Sequence, residues 1–577
     1  MILGLNIPIL YCVALQAMAA TPLELGASAA IKIVRLWADN GLETTPVDNS
    51  LPGNATGVCV LLRHNGNLLG YGEAFGESTE ILEIAASTAC KEAKKNPILR
   101  NLPDDVRNHA LRSISIEVGI AGSATPIPSK NLDIVAKKIE AGVDALAVRR
   151  GKNWTFRLPP QMRLSPFRTP VNHLEGMCIK VGSPASAAIA HQLPEQEDVT
   201  VYKVTFISAY QHTSGGEIQL LYRGDTHVPI EKLRQVGLQA TADLLASSII
   251  NSVWPGDEAV GITGTYQPEI DLISPIIAPV VSQAMAGEAL LHYASLPDSA
   301  HKKEALATYI RIMNDLAVVN ESELPIDGVL EQSFVVLASG EARGLSQDAD
   351  LLIQHCKSGV IAAARKMADG SSVPSRPFAR AVLAAAISRM AAQGFDTDII
   401  ALSERAIEVC LHTTAKSDRA SLIPWIAQAG VDVISMGGSV DISTIQSIRS
   451  IALASQYTAS EPKDLLGGFT LRTSRGSVVD ARGIRMLPML ADLLQVEAYT
   501  PPGDRFAALQ SLLLAARFTS QLTTTSERAS RFPNPKRALG GVRNATWDAT
   551  MKPEATAMAL IGISKAIESI YAVAEGG

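Results

Sequence analysis

From about Glu231 to its end the chain is a run of helix-length segments in which a charged, amphipathic stretch alternates with one that is apolar nearly all round. No other feature constrains the fold as much. The pairs are "KLRQVGLQATADLLASSII" with "PIIAPVVSQAMAGEALLHYA", "AHKKEALATYIRIMNDLAVV" with "GVLEQSFVVLAS", and "DADLLIQHCKSGVIAAARKMA" with "RPFARAVLAAAISRMA". They continue as "DIIALSERAIEVCLHT" with "ASLIPWIAQAGVDVI", "STIQSIRSIALAS" with "ARGIRMLPMLADLLQ", and "RFAALQSLLLAARFTSQL" with "KPEATAMALIGISKAIES". A helix that is apolar on every side has to be surrounded by protein, and one with a charged face lies against solvent. Six amphipathic outer helices around six buried inner ones predict an all-α (α/α)6 toroid over residues 231–577. An open superhelical stack would call for end caps and a steadier repeat.

The connectors running from an outer helix to its inner partner include "NSVWPGDEAVGITGTYQPEIDLIS", "DGSSVPSRP", "EPKDLLGGFTLRTSRGSVVD" and "TTTSERASRFPNPKRALGGVRNATWDATMK". Long loops without regular structure usually carry function. Their common direction places them on one rim, at the N-termini of the inner helices. In pattern this half resembles the six-hairpin toroid superfamily, which includes glycoside hydrolases, polysaccharide lyases and sugar epimerases. In wording the resemblance rests on "GTYQPEIDLISPIIAPVVSQAMAGEALLHYA" and "GGVRNATWDATMKPEATAMALIGI".

Sugar-processing sites need carboxylates as acid and base, aromatic rings to stack on a sugar, and cations where the substrate is a uronic acid. The rim supplies Asp271, Asp548 and Glu554 as acid/base candidates. Tyr266 and Trp547 are candidates to stack or donate, and Arg376, Arg380, Arg472, Arg475, Arg482 and Arg543 to bind an anionic group, with Asp480 also a substrate-binding candidate and Glu269 nearby. The competing expectation is that Asp271 and Asp548 cap helices and that Asp480 pairs with Arg475 and Arg482.

The first part of the chain has a different grammar. "GVCVLLRH" and "NLLGYGEAF" alternate around Asn65-Gly66, a dipeptide that supplies the positive φ angles of a tight hairpin turn. A helical period follows in "TEILEIAASTACKEAKKNP", with Ser78 or Thr79 as the expected N-cap and Glu80 and Glu83 in its first turn. Then come the strand "SISIEVGI", the strand-turn-strand "ALAVRRGKNWTFRLPP" and the short helix of "VNHLEGMCIKVG". Order and wording over residues 25–185 resemble the AMMECR family, named after a human contiguous-gene deletion region, which implies an α+β domain. The resemblance rests on Gly57-Val58, Asn65-Gly66 with Leu68 and Gly70, "ISIEVGI", "GVDALAVRRGKNW" and "CIKVG". That family carries Leu-Arg-Gly-Cys-Ile-Gly after this turn, whereas this chain has Leu68-Leu69-Gly70-Tyr71-Gly72-Glu73. A thiol nucleophile or guanidinium therefore does not carry over to Leu69 and Tyr71. What remains is a closely approached turn at Gly70 and Gly72, with Glu73 or Glu77 beside it. Residues 186–230, with "VTVYKVTFISAYQ" and "EIQLLYRGD", are expected to form a linking extension with short strands.

With 19% charged residues and a net charge of −6, the chain lacks the basic surface that nucleic acid requires. The first 20 residues, apolar from Ile2 to about Leu15 and followed by Ala17-Met18-Ala19, read as a signal peptide, although no Lys or Arg precedes the run. Cleavage there would make the protein periplasmic or secreted; without it the chain stays cytoplasmic. No later segment spans a membrane. The six cysteines are scattered and mostly inside apolar runs, so free buried thiols are expected, with no metal site and no cofactor. Two functional readings follow. One is an exported bacterial protein that binds, and cleaves or epimerises, a polysaccharide or other small polar ligand at the toroid rim. The other is a non-catalytic recognition or scaffold protein with a degenerate AMMECR-like domain.

Overall fold

The computed structural model describes residues 21–575 apart from 46–50, 53, 77–79, 166–168, 197, 234, 322–325, 341–343, 395–396, 460–461 and 474–475. The leader expected over 1–20, Glu77, the caps expected at Ser78 and Thr79, and Arg475 lie outside the described residues. The chain divides into two compact units, one running to Thr226 and including 458–463, the other from His227 onward without that short segment.

The first unit contains α1 (Pro22–Asp39), β1 (Gly57–His64), β2 (Asn67–Phe75), α2 (Ile81–Lys95), β3 (Ser115–Ile127), β4 (Ala145–Arg150), β5 (Asn153–Arg157), α3 (Pro159–Leu164), β6 (Val199–Gln211) and β7 (Ile218–Leu221). The strands form one antiparallel sheet in the order β2-β1-β3-β6-β4-β5, with β7 also on β6. The hairpin turn is as its dipeptide requires, with φ of 47° at Asn65 and 75° at Gly66. Alternation along the strands sorts the core. Val58, Val60, Leu62, Ile116, Val118 and Ile120 face α1 and α2, and Cys59, Leu61, Ala121 and Phe206 form a separate cluster.

Two expectations are corrected here. Residues 186–230 are not merely a connector: they supply β6, which pairs along one edge with β3 and along the other with β4 and β7. Its alternating apolar residues are those of a strand with neighbours on both edges. Gly70-Tyr71-Gly72-Glu73 is likewise no turn, because all four residues lie within β2. A Cβ at Gly70 would stand 2.1 Å from the Ala89 carbonyl oxygen, and one at Gly72 would stand 1.9 Å from that of Ala85. Two strand residues advance about 6.6 Å and four helical residues about 6 Å, so the two glycines meet successive turns of α2 in step. What approaches them is the helix backbone.

The second unit is helical. Its twelve long helices are α4 (Gln235–Asn251), α5 (Val280–Ser295), α6 (Lys302–Glu321), α7 (Val329–Ala338), α8 (Gln347–Ala368), α9 (Pro377–Ala392), α10 (Thr397–His412), α11 (Trp425–Ser435), α12 (Ile442–Ser455), α13 (Met486–Gln495), α14 (Arg505–Leu522) and α15 (Pro553–Glu575). The odd-numbered members from α5 to α15 pack each against the next, and α15 returns to α5, which closes a ring. The alternate helices lie outside it, most of them bridging two ring helices. Burial follows the sequence pattern: α13 is buried along almost its whole length, whereas outer α8 buries only one face. All five described cysteines are free and buried. No helix among the described residues is long and apolar enough to cross a membrane.

Gly72→Ala is expected to lower the stability of the first unit by about 3 kcal/mol, because neither the Ala85 carbonyl nor the strand can retreat without opening the sheet–helix interface. Equilibrium denaturation followed by the α2-dependent far-UV signal measures it. A loss near zero would mean that α2 does not rest on this strand.

Candidate functional site

The long connectors bring several rim residues together. Tyr266 donates its hydroxyl to Asp271 Oδ1 at 2.9 Å, Arg537 Nη1 lies 2.8 Å from the same oxygen, and the Arg537 guanidinium sits 5.7 Å over the Tyr266 ring. Burial and the bond to Asp271 push the Tyr266 phenol well up. Reciprocal backbone bonds between Tyr266 and Met551 tie this loop to the last one, and Ala481 N–H donating to the Asn544 carbonyl at 2.8 Å ties in the fifth. Within the last loop Asp548 accepts from Asn544 Nδ2 at 2.9 Å and from the Thr550 amide at 3.0 Å. Arg543 donates to the carbonyls of Thr546 and Gln521. Trp547 is half-buried, and Glu554, in the first turn of α15, accepts from Ser282 Oγ at 3.2 Å.

Asp480 and Arg482 bond each other, at 2.6 Å from Nη2 to Oδ2, and Asp480 also caps the turn that follows. Arg376 is an exposed residue preceding α9, and buried Arg380 secures its own loop through the Pro374 carbonyl and Thr414 Oγ1. Arg472 is exposed and Glu269 half-buried. Asp271, Asp548, Arg543, Arg380 and Asp480 thus spend hydrogen bonds on loop shape. Beneath these loops Phe334 stands edge-on to fully buried Trp425 at 5.2 Å.

Polar groups gather farther along the ring helices, toward their C-terminal ends. Five of the six contribute a charged residue: Glu288 from α5, Arg389 from α9, Asp432 from α11, Asp492 from α13 and Lys565 from α15. The sixth, α7, has its last residue, Ala338, opposite Gly287. Lys565 Nζ lies 2.8 Å from both Asp492 oxygens, and Arg389 Nε lies 3.4 Å from Asp432 Oδ2. His292, one turn after Glu288, places Nε2 at 3.9 Å from Glu288 Oε1. Glu568 accepts from Ser295 Oγ at 3.1 Å, and Ser569 Oγ from Gln495 Nε2 at 2.9 Å.

Glu288 is only 2% exposed, and its Oε2 is buried with no hydrogen-bond partner among the described residues. Burial raises its carboxyl pKa; Asp492 and Asp432 add to that, and Arg389 and Lys565 oppose it. Burial, reinforced by Lys565 and Arg389, pushes His292 well below the usual imidazole value and keeps it neutral. Burial alone would lower the Arg389 pKa, but Asp432, Glu288 and Asp492 more than offset it. Burial also raises Asp432 and Glu568. The layer is not sealed: the side chains of Arg389, His292 and Asp432 keep 21%, 19% and 17% of their surface. Chemically it brings a carboxyl group whose protonated form burial favours beside further carboxyl groups, an arrangement that acid/base catalysis can use.

None of these residues stood out as a site in the sequence. The signal was a charged residue set among apolar ones in five of the six inner segments: Glu288 in "AGEALL", Arg389 in "AISRMA", Asp432 in "AGVDVI", Asp492 in "MLADLL" and Lys565 in "GISKAI".

In the first unit, Tyr71 donates its hydroxyl to Glu73 Oε2 at 2.6 Å, Gln161 Nε2 donates to the same oxygen, and the Tyr71 amide donates to Glu92 Oε2 at 2.9 Å. Burial raises the Tyr71 phenol strongly. Phe75 of β2 stacks on Phe156 of β5 at 4.4 Å, joining the two edges of the curled sheet.

No family model matches this chain, and no curated protein does. Solved structures to which the chain shows similarity include the following two. An uncharacterized protein, PH0010, from Pyrococcus horikoshii is 21% identical with a TM-score of 0.26, over 35% of this chain and 96% of its own. A family 76 glycoside hydrolase from a bovine Bacteroides thetaiotaomicron strain is 10% identical with a TM-score of 0.38, over 79% of this chain and 96% of its own.

Lys565→Met strands Asp492 in a buried site and is expected to cost about 3 to 5 kcal/mol, with Asp492→Asn/Lys565→Met costing clearly less. A double-mutant cycle in urea that includes Asp492→Asn alone measures the difference, and additive costs would show the pair to be uncoupled.

The layer also sets a pH dependence. Below about 6.5 the unfolded chain protonates His292 while the folded chain does not, so stability falls as pH drops. Above about 4.3 the unfolded chain releases a Glu288 proton that the folded chain keeps, so this group weakens folding as pH rises. Glu288→Gln should therefore raise Tm more at pH 8 than at pH 5, in thermal scans of both proteins. An unchanged difference across that range would refute the assignment.

Proposed function

We propose that the helical unit is an (α/α)6 toroid that binds a carbohydrate at the charged layer on its axis, with Glu288 as proton donor and Asp492 or Asp432 as the carboxylate partner. The observation that carries this reading is the layer itself: charges from five ring helices converge where an apolar core would otherwise be continuous. Burying ions in this way adds little stability compared with well-packed apolar residues, and perturbed titrations cluster at functional sites. A sugar suits the layer because its hydroxyls both donate and accept, and because glycosidic and epimerising chemistry needs one protonated and one ionised carboxyl group. The rim residues Tyr266, Asp271, Asp548 and Glu554 serve in this reading to fix the loops. Export of the chain belongs to the same proposal and rests on the composition of residues 1–20.

The test is a glycan-binding screen with a reducing-sugar assay on the full chain, beside Glu288→Gln and Asp548→Asn. Glu288→Gln should lower turnover by about 100-fold or more, while Asp548→Asn, verified as folded by circular dichroism, should keep it within about twofold. A native chain that neither binds nor cleaves any glycan sinks the carbohydrate reading. Loss of activity only in Asp548→Asn would move the chemistry to the long-loop rim.

A further inference from the structure

We infer that the axial layer selects a ligand carrying a protonated amine, of the non-acetylated amino-sugar class, over neutral or acidic sugars, and that Glu288 Oε2 is the acceptor for that amine. This rests on the carbohydrate-binding part of that reading: with an amine bound, Glu288 is the acceptor, and its role as proton donor belongs to ligands without one.

The layer holds more carboxyl groups than cations. Glu288, Asp432 and Asp492 are three carboxyl groups against the two cations Arg389 and Lys565, with Glu568 a fourth carboxyl group nearby. Both cations are engaged: Lys565 sits equally on the two oxygens of Asp492, and Arg389 faces Asp432. A uronate would have to break one of those pairs and then share the site with the released carboxylate. Opposite conditions hold for a cation. Glu288 Oε2 is buried and has no donor among the described residues. The groups facing Glu288 are His292 on its own helix, Arg389, Asp432, Asp492 and Lys565. His292, held neutral, adds no positive charge to repel an ammonium.

An arriving ammonium would give Oε2 the hydrogen bond it lacks and favour the ionised carboxylate. Burial favours the protonated form of Glu288 in the free protein, so the carboxyl group gives up that proton to solvent as the N–H of the ligand bonds to the oxygen. No other bond is made or broken. Binding is therefore coupled to loss of up to one proton, and a neutral N-acetylated sugar cannot drive that exchange.

The experiment is titration calorimetry of the full chain with glucosamine oligomers, their N-acetylated counterparts and oligogalacturonate. It is run in two buffers of different ionisation enthalpy at about pH 6, below the range in which amines lose their proton. The expected result is at least about tenfold tighter binding of the glucosamine oligomer, with a buffer-dependent heat that reports proton release. Glu288→Gln should abolish both the preference and the release. The native chain alone already decides the matter, so a variant that fails to fold does not rescue the idea. Equal affinity for acetylated and free-amine oligomers, a preference for the galacturonate, or no proton release overturns this inference and leaves carbohydrate binding standing. Binding of none of the three, with no hit in the wider glycan screen, removes both.

Discussion

Five charged side chains cannot enter the middle of an apolar helix ring unless they meet one another there. That requirement fixes the rotation of each ring helix about its own axis: α13 must turn Asp492 to Lys565 of α15, and α9 must turn Arg389 to Asp432 of α11. Hydrophobic burial alone would leave helices such as α9, apolar around most of its circumference, with little reason to prefer one rotation. Polar pairs in a low-dielectric interior impose that choice, because an unmatched buried charge costs far more than a misfitted methyl group.

Glu288 is the exception to this matching, and the neighbourhood is arranged so that it can be one. A carboxyl group without a donor for one oxygen is tolerable in the protonated state, and burial with Asp432 and Asp492 close by favours that state. The same surroundings that stabilise a neutral acid also hold His292 neutral. The same burial that favours the protonated acid disfavours a carboxylate that would be easier to accommodate in water.

The two units solve the problem of close backbone approach by different means. In the ring, small residues such as Ala284, Ala286 and Gly287 on α5 and Ala384 to Ala386 on α9 let helices come together on several sides. In the sheet unit, Gly70 and Gly72 let α2 lie directly on β2. The Gly-x-Gly pattern suggests a closely approached turn, yet the same absence of a side chain serves equally well to seat a helix. Only the position of Ala85 and Ala89 distinguishes the two uses.

Periodicity in the sequence encoded what each segment does locally. It specified the twelve helices, which of them lie inside, the Asn65-Gly66 hairpin and the alternating faces of β1 and β3, because burial and turn geometry act on neighbouring residues. It also drew the eye to the long loops, where Asp271, Asp548 and Arg543 prove to be bonded within the loops or between them. Tertiary structure alone decided where charges converge. Asp492 and Lys565 are 73 residues apart, and Arg389 and Asp432 are 43 apart, so each reads in isolation as a stray charge in an apolar helix. Closing the ring makes them neighbours, and the interaction that gives them meaning operates through space, where the order of residues along the chain carries no record of it.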